Sequence, residues 1–211
     1  MRNAPLVLAL AACAFCPVVT ATEEQPPLSL RVRLYDASKV AFTTIDDALG
    51  AATAILKDAG VTPEWMRCGV APSVDGPDPC TIPLAAPELV VRVVRMKPGK
   101  PRTRVLPLGD AFVDTRARAG TLATIYWDAV DSLARATGCS LTMLFGRALA
   151  HEVGHLLLGT DGHSVRGIMR AVWTSDQVQE SRPVDWRFSS DDEARIRKAI
   201  EGRNLGVARS Q

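Results

Sequence analysis

The chain has 211 residues, of which 47% are hydrophobic and 23% charged, and 25 Lys and Arg side chains nearly balance 23 Asp and Glu side chains. This is the composition of an ordinary globular domain with room for one sizeable core. The formal net charge of +2 and the lack of a block of basic residues argue against a nucleic-acid partner.

Residues 1–21 have the pattern of a secretory signal peptide. A basic residue precedes an apolar run from Leu6 to Val19, and cleavage is expected after Ala21. Because the run is shorter than the ~18 residues that a transmembrane helix needs, we expect no membrane span in the mature chain. Leu10 to Cys13 also resembles a bacterial lipobox, which would leave a lipid anchor at Cys13. The predicted location is therefore secreted or periplasmic, with a lipid-anchored protein of the cell envelope as the alternative.

Residues 22–211 are predicted to form one α+β domain, with an N-terminal lobe at 28–158 and a small, mostly irregular C-terminal lobe at 159–211. Alternating or valine-rich apolar patterns predict strands at Leu28–Asp36, Val61–Cys68, Glu88–Met96, Gly109–Asp114 and Thr121–Trp127. Helical spacing with stop signals predicts helices at Ile45–Ala59, Asp128–Thr137, Leu141–Leu158 and Ser190–Glu201. We expect the nearly apolar helix at Leu141–Leu158 to lie at the centre of the domain.

Three cysteines remain after the predicted cleavage. Cys68 and Cys80 flank a loop rich in Pro and Gly, and export to an oxidising compartment favours a disulfide between them. Cys139 has no obvious partner, and we expect it to be a small buried side chain.

The central helix contains the sequence HEVGH. Residues four apart share one helix face, so His151 and His155 can bind one Zn²⁺, and Glu152 is placed to act as the general base of a hydrolase. Polar groups in an apolar helix are costly unless they are satisfied, and a metal ion would satisfy them. A catalytic zinc ion takes a third protein ligand, for which the candidates are His163, Asp161 or a more distant glutamate such as Glu180 or Glu193.

The stretch HEVGHLLLGTDGHS, followed by GIM, resembles the metzincin metallopeptidases, and its HS and GIM are similar to those of matrixins. The resemblance implies that His151, His155 and His163 bind zinc, that Glu152 is the base and that Met169 is the methionine of the Met-turn. It also implies a zincin-like mixed sheet with two helices before the active-site helix. The metzincin pattern has glycine and histidine where this chain has Leu158 and Asp161, so Asp161 stays open as the alternative third ligand. Otherwise its carboxylate would orient one of the zinc-binding histidines.

Three further features of the sequence bear on this resemblance. Arg67 to Val70 resembles the cysteine switch of matrixin propeptides, but we favour the disulfide because Cys80 is near in sequence. Gly109–Asp114 corresponds to the metzincin edge strand, along which an extended substrate pairs. Trp173 and Trp186 are expected to pack inside the C-terminal lobe.

The predicted function is a zinc metallopeptidase that acts on protein or peptide substrates. One alternative is a zinc-stabilised, non-catalytic binding domain at the cell surface, against which the presence of a base argues. Another is a zinc amide hydrolase that acts on a cell-wall peptide, since the same site suits that reaction.

Overall fold

A computed structural model of the chain describes residues 28–69, 78, 80–85, 87–96, 107–180 and 182–208. The predicted signal peptide and the lipobox at Cys13 lie outside these residues and stay predictions. Within the described ranges, no helix combines the length and the apolar character that crossing a bilayer requires.

A five-stranded mixed sheet forms the framework, with the strand order β2-β1-β3-β5-β4. The strands are β1 (Leu28–Asp36), β2 (Val61–Cys68), β3 (Leu89–Val94), β4 (Gly109–Asp114) and β5 (Ala119–Tyr126). All neighbouring strands are parallel except β4 and β5, which are antiparallel. The predicted α+β class with a mixed sheet is confirmed, and β4 occupies an edge of the sheet.

Two helices cover one face of this sheet, which we call the helix side. Helix α1 (Phe42–Asp58) begins about one turn before the predicted start and has no side-chain cap. Alternate residues of β1 point to the same side, where Leu30, Val32 and Leu34 are buried in the core. The second helix, Leu141–Leu158, approaches α1 closely at Gly146, where a Cβ would lie 2.5 Å from the Cβ of Ala51 in α1.

Helix α2 (Trp127–Thr137) follows β5 directly and leads into α3 (Leu141–Leu158), whose bounds agree with the prediction. Ser140 caps α3 by accepting a hydrogen bond from the backbone N–H of Met143. Gly159 ends α3 in the left-handed conformation (φ 61°), and a Cβ there would lie 2.2 Å from the carbonyl oxygen of Arg118. Only glycine fits this position, where the chain turns from the core helix toward the C-terminal lobe.

The C-terminal lobe is more helical than predicted. It contains α4 (Ser175–Glu180), a 3₁₀ turn (Pro183–Trp186) and α5 (Ser190–Ala208), which extends beyond the predicted end. Thr174 and Gln177 exchange side-chain to backbone hydrogen bonds at the start of α4, as in a capping box. The Thr-x-x-Gln spacing was a readable sequence signal that the prediction missed.

The opposite face of the sheet, which we call the outer side, is held by charges and a disulfide. Arg33 is 2% exposed, forms an ion pair with the buried Glu88, and donates hydrogen bonds to two carbonyl oxygens of the 80–85 segment. Cys68 and Cys80 are disulfide-bonded with a Cα–Cα distance of 5.6 Å, so Cys68 is not available as a cysteine switch. Cys139 is a free thiol but only partly buried, contrary to expectation, because it lies in the short connection before α3.

Candidate metal centre

Helix α3 holds two histidines on one face, one helical turn apart. His151 and His155 are 8% and 5% exposed, and their Nε2 atoms are 3.0 Å apart. Both side chains are surrounded by the core that buries α3. Their positions therefore depend on the packing of the whole domain.

The third histidine comes from the segment that follows the Gly159 turn. His163 is exposed, and its ring centroid lies 5.4 Å from that of His151 and 4.8 Å from that of His155. One donor atom from each of the three histidines lies within 4.8 Å of the others. The next residue, Ser164, donates its backbone N–H to the carbonyl oxygen of Met169, which ties this segment to the chain after it.

The hydrogen bonds of the two helical histidines fix the tautomer that metal binding needs. The Nδ1 atoms of His151 and His155 lie 2.8 Å from the carbonyl oxygens of Ile168 and Thr160. A carbonyl only accepts, so each Nδ1 must carry the proton, and each Nε2 of a neutral ring presents a lone pair. In zinc sites, a carbonyl oxygen that accepts from the other ring N–H orients the histidine in the same way.

The two Nε2 lone pairs face each other across 3.0 Å, which is repulsive unless a cation lies between them. Tetrahedral zinc with Zn–N bonds of about 2.0–2.1 Å separates its nitrogen ligands by about 3.3 Å. Burial lowers the pKa of His151 to about 4 and also lowers the pKa of His155, so both rings are neutral near pH 7. The donor set and its spacing fit a Zn²⁺ ion.

The other candidates for the third ligand are less well placed. The group that is able to hold a metal contains His163 and not Asp161, which lies exposed at the cleft. Glu180 forms an ion pair with Arg182. Burial raises the pKa of Glu193, with the charge of Asp58 as the next contribution, so Glu193 lies near α1.

The carboxylate of Glu152 is on the sheet side of the histidines. Glu152 is 5% exposed and packs against Gly109 of β4, where a Cβ would lie 2.7 Å from the Cγ of Glu152. Burial, followed by the nearby charge of Asp110, raises the pKa of Glu152 to about 8. Sequence reasoning missed Gly109, although a glycine at the start of a strand often marks such a close approach.

Met169 lies behind the histidine pair, almost fully buried. A Cβ at Gly154 would lie 2.7 Å from its sulfur and 2.7 Å from the ring of Phe188. Gly154 stands between the two histidines in HEVGH, so its lack of a side chain lets Met169 and Phe188 pack against this turn of α3. The sequence pattern alone gave Gly154 no role.

An open cleft of about 950 Å³ gives access to the three histidines and Glu152. One wall contains residues of β4 and the segment before it, including Leu108, Gly109 and Asp110. The other wall contains small residues of α2 and the segment after Met169, including Ala129, Ala136 and Val172. A cleft of this volume is typical of sites that bind extended or drug-sized ligands.

The two tryptophans of the C-terminal lobe have different environments. Trp186 is 4% exposed and has the guanidinium of Arg147 3.7 Å from its ring centroid, as expected for a packing role. Trp173 is only partly buried, lines the cleft and contacts His151 edge-to-face at 5.6 Å between ring centroids. Trp173 also packs edge-to-face on Trp186 at 5.0 Å between ring centroids and lies against the core, as expected for the C-terminal lobe.

No known protein family matches the sequence, and no curated protein matches it either. Among solved structures, the chain is similar to metalloproteinase-II from Bacteroides fragilis, with 16% identity and a TM-score of 0.48 over 85% of this chain. It is also similar to myroilysin, with 15% identity and a TM-score of 0.33 over 79% of this chain. The chain spans 55% of the length of the first protein and 72% of the second. The first of these two proteins is a metalloproteinase by name, and the functional argument for this chain depends on the geometry of its own site.

Proposed function

We propose that the protein is a zinc-dependent metallopeptidase of the metzincin type. The observation that carries this proposal is the convergence of three histidine donors on one point, beside a buried glutamate, in an open cleft. His151, His155 and His163 would hold the ion. Zinc supplies a Lewis acid that polarises the scissile carbonyl and lowers the pKa of a bound water.

Glu152 performs the proton transfers in this proposal. Burial raises the pKa of Glu152, but a Zn²⁺ ion held by the neighbouring histidines would favour its ionised form. The carboxylate then takes one proton from the attacking water as the oxygen bonds to the carbonyl carbon of the substrate. It then donates this proton to the amine nitrogen as the carbon–nitrogen bond breaks. The low exposure of Glu152 limits competing exchange of this proton with bulk water.

The edge strand β4 gives the substrate a place to bind. Only one side of β4 is paired, because β5 is its only neighbour among the described strands. A peptide in extended conformation adds to such an edge through backbone hydrogen bonds, which recognise the peptide irrespective of its side chains. Since Gly109 contacts Glu152, a peptide that pairs with β4 lies close to this base.

The metzincin assignment within this proposal rests on Met169 and on the chain path between the second and third histidines. The glycine of the turn and the third histidine are displaced from the metzincin spacing, yet Gly159 still ends α3 and His163 still reaches the other two rings. Met169 lies next to Ile168, whose carbonyl holds the His151 ring. The loop between His155 and His163 is thus longer than in the metzincin pattern and still brings the three histidines together.

The test is cleavage of a mixed peptide library by the zinc-loaded protein, with zinc content measured in parallel. We expect stoichiometric zinc, loss of cleavage with a chelator, and a decrease in kcat of about 10²- to 10⁴-fold for Glu152→Gln, which keeps the zinc. A wild type that binds no zinc would sink the proposal. Stoichiometric zinc without cleavage would instead favour the non-catalytic binding domain, and cleavage confined to cell-wall peptides would favour the amide hydrolase.

We also propose export, since the Cys68–Cys80 disulfide is a type of bond that persists in oxidising compartments. N-terminal sequencing of the protein from fractionated cells tests this proposal. A mature chain that begins after Ala21 is expected. Lipid on Cys13 would indicate the envelope-anchored alternative, and an unprocessed cytosolic chain would contradict export.

A further inference from the structure

Asp110 is an exposed carboxylate at the wall of the cleft, one residue after the glycine that contacts the base. It belongs to β4 and lines the same cleft as Glu152 and the histidines. The hydroxyl of Tyr126 donates a hydrogen bond of 2.7 Å to one oxygen of Asp110. This bond orients the carboxylate, and among the described residues no hydrogen bond to its second oxygen is present.

Arg92 is a cation near Asp110: it donates a hydrogen bond to Thr124, the register partner of Asp110, and partly offsets the rise in the pKa of Tyr126, but it forms no ion pair with Asp110. Among the described residues, no ion pair involves Asp110, and the only cation that lines the cleft is Arg170, which pairs with Asp185 at 3.1 Å. The hydrogen bond to Asp110 is also the largest cause that raises the pKa of Tyr126 to about 12, so Tyr126 remains a donor throughout the neutral range. Asp110 therefore presents a negative charge to whatever occupies this wall.

The position of Asp110 on an edge strand defines which part of a substrate it meets. In an antiparallel pair, directly opposite residues have Cβ atoms about 4.5–5.5 Å apart on the same face of the sheet. A substrate that pairs with β4 thus places one side chain beside Asp110. Because Gly109 contacts Glu152, that side chain belongs to a residue close to the scissile bond.

We propose that Asp110 is a specificity-determining residue, which selects peptides that carry Lys or Arg at the position opposite it. This inference rests on the proposed peptidase function and adds a substrate class to it. The cationic side chain donates a charge-assisted hydrogen bond to a carboxylate whose orientation is already fixed by Tyr126. A glutamate at the same position is disfavoured by repulsion.

The experiment uses a peptide that the zinc-loaded protein cleaves, with each position near the scissile bond replaced in turn by Lys, norleucine or Glu. At one position we expect kcat/KM for Lys to exceed that for norleucine by about five-fold, as for a partly exposed ion pair. The ratio should fall to about one in Asp110→Asn, in which an acceptor for Tyr126 is kept. It should also fall between about 0.01 M and 1 M salt, where the screening length shortens from about 30 to 3 Å.

Asp114→Asn is the matched control. Asp114 is exposed on the same strand and accepts hydrogen bonds from the N–H groups of Arg116 and Ala117, but it does not line the cleft. In Asp114→Asn, the ratio of kcat/KM for the Lys peptide to kcat/KM for the norleucine peptide should equal that of the wild type. The charge reversal Asp110→Lys should transfer the preference to Glu at the same position, which keeps the test usable if the asparagine variant folds poorly.

A second readout does not need turnover. Zinc-loaded Glu152→Gln should bind the Lys peptide about five-fold more tightly than the norleucine peptide, and adding Asp110→Asn should remove the difference. Equal affinities, equal kcat/KM at every position, or a ratio unchanged in Asp110→Asn would overturn the inference. Binding selectivity without cleavage would support it while contradicting the proposed peptidase function.

Discussion

The two faces of the sheet are stabilised by different means. On the helix side, α1 and α3 pack apolar side chains against the strands, and glycines at 146 and 154 allow contacts that any Cβ would block. On the outer side, the buried Arg33–Glu88 ion pair and the Cys68–Cys80 disulfide hold the 80–85 segment against β1. Shape complementarity dominates one face, whereas charge and a covalent bond dominate the other.

The difference matters because the histidines, Glu152 and Met169 all lie on the helix side. Damage to the outer side should lower the free energy of unfolding and leave the chemistry of the folded protein intact. A small change next to the histidines on the helix side should weaken the chemistry at a smaller cost in stability. Three variants test this separation, from the largest expected change in stability to the smallest.

Glu88→Gln should lower the free energy of unfolding at pH 7 by about 3 kcal/mol, because it leaves the buried Arg33 guanidinium without a compensating charge. Urea unfolding followed by circular dichroism measures the change. Glu64→Gln is the control, because the ion pair of Glu64 with Arg31 is exposed and 3.7 Å long. This variant should change stability by less than about 1 kcal/mol. Equal effects of the two variants would contradict the prediction.

The contribution of Glu88 to the free energy of unfolding depends on pH in a defined direction. Burial raises the pKa of Glu88, but the hydrogen bonds from Arg31, from the N–H of Ala85 and from Arg33 outweigh it, and the pKa is lowered below 4.5. Folded Glu88 therefore binds fewer protons than unfolded Glu88, and its contribution is complete above pH 4.5. As the pH falls below 4.5, the wild type should lose this contribution and approach Glu88→Gln in stability.

Removal of the disulfide by Cys68→Ser with Cys80→Ser should lower the free energy of unfolding by about 2–3 kcal/mol, through the greater entropy of the unfolded chain. The folded double variant should retain stoichiometric zinc and the kcat of the wild type, because neither cysteine contacts the cleft. Calorimetric unfolding and zinc analysis are the measurements. Loss of zinc from the folded variant would show that the two faces are not separate.

Gly154→Ala, on the helix side, should impair zinc binding and cleavage, which the disulfide variant leaves intact. The added methyl would overlap the sulfur of Met169 and the ring of Phe188, which costs about 1–3 kcal/mol and shifts the turn that carries both helical histidines. We expect zinc affinity and peptide cleavage to fall by at least about 10-fold, as for loss of groups that support metal ligands. Gly162→Ala, where a Cβ would meet only the Thr160 hydroxyl at 3.2 Å, should leave both unchanged.

Much of the fold was readable because its signals are local. The alternation in β1 and the apolar length of α3 predicted these elements with their observed bounds. The start of α1 was missed because no side-chain cap marks it. The C-terminal lobe was under-predicted because short elements such as α4 depend on capping and on contacts with α2 rather than on long apolar periodicity.

By itself, the sequence determined where the candidate metal site lies, because HEVGH on an apolar helix places two imidazoles and a carboxylate within one turn. Only the tertiary structure decided which group joins them, since Asp161 and His163 both follow the Gly159 turn and differ only in where the chain path takes them. The roles of Gly109, Gly154 and Asp110 were likewise decided in three dimensions. Each depends on a contact between segments far apart in sequence, and such contacts leave no local pattern to detect.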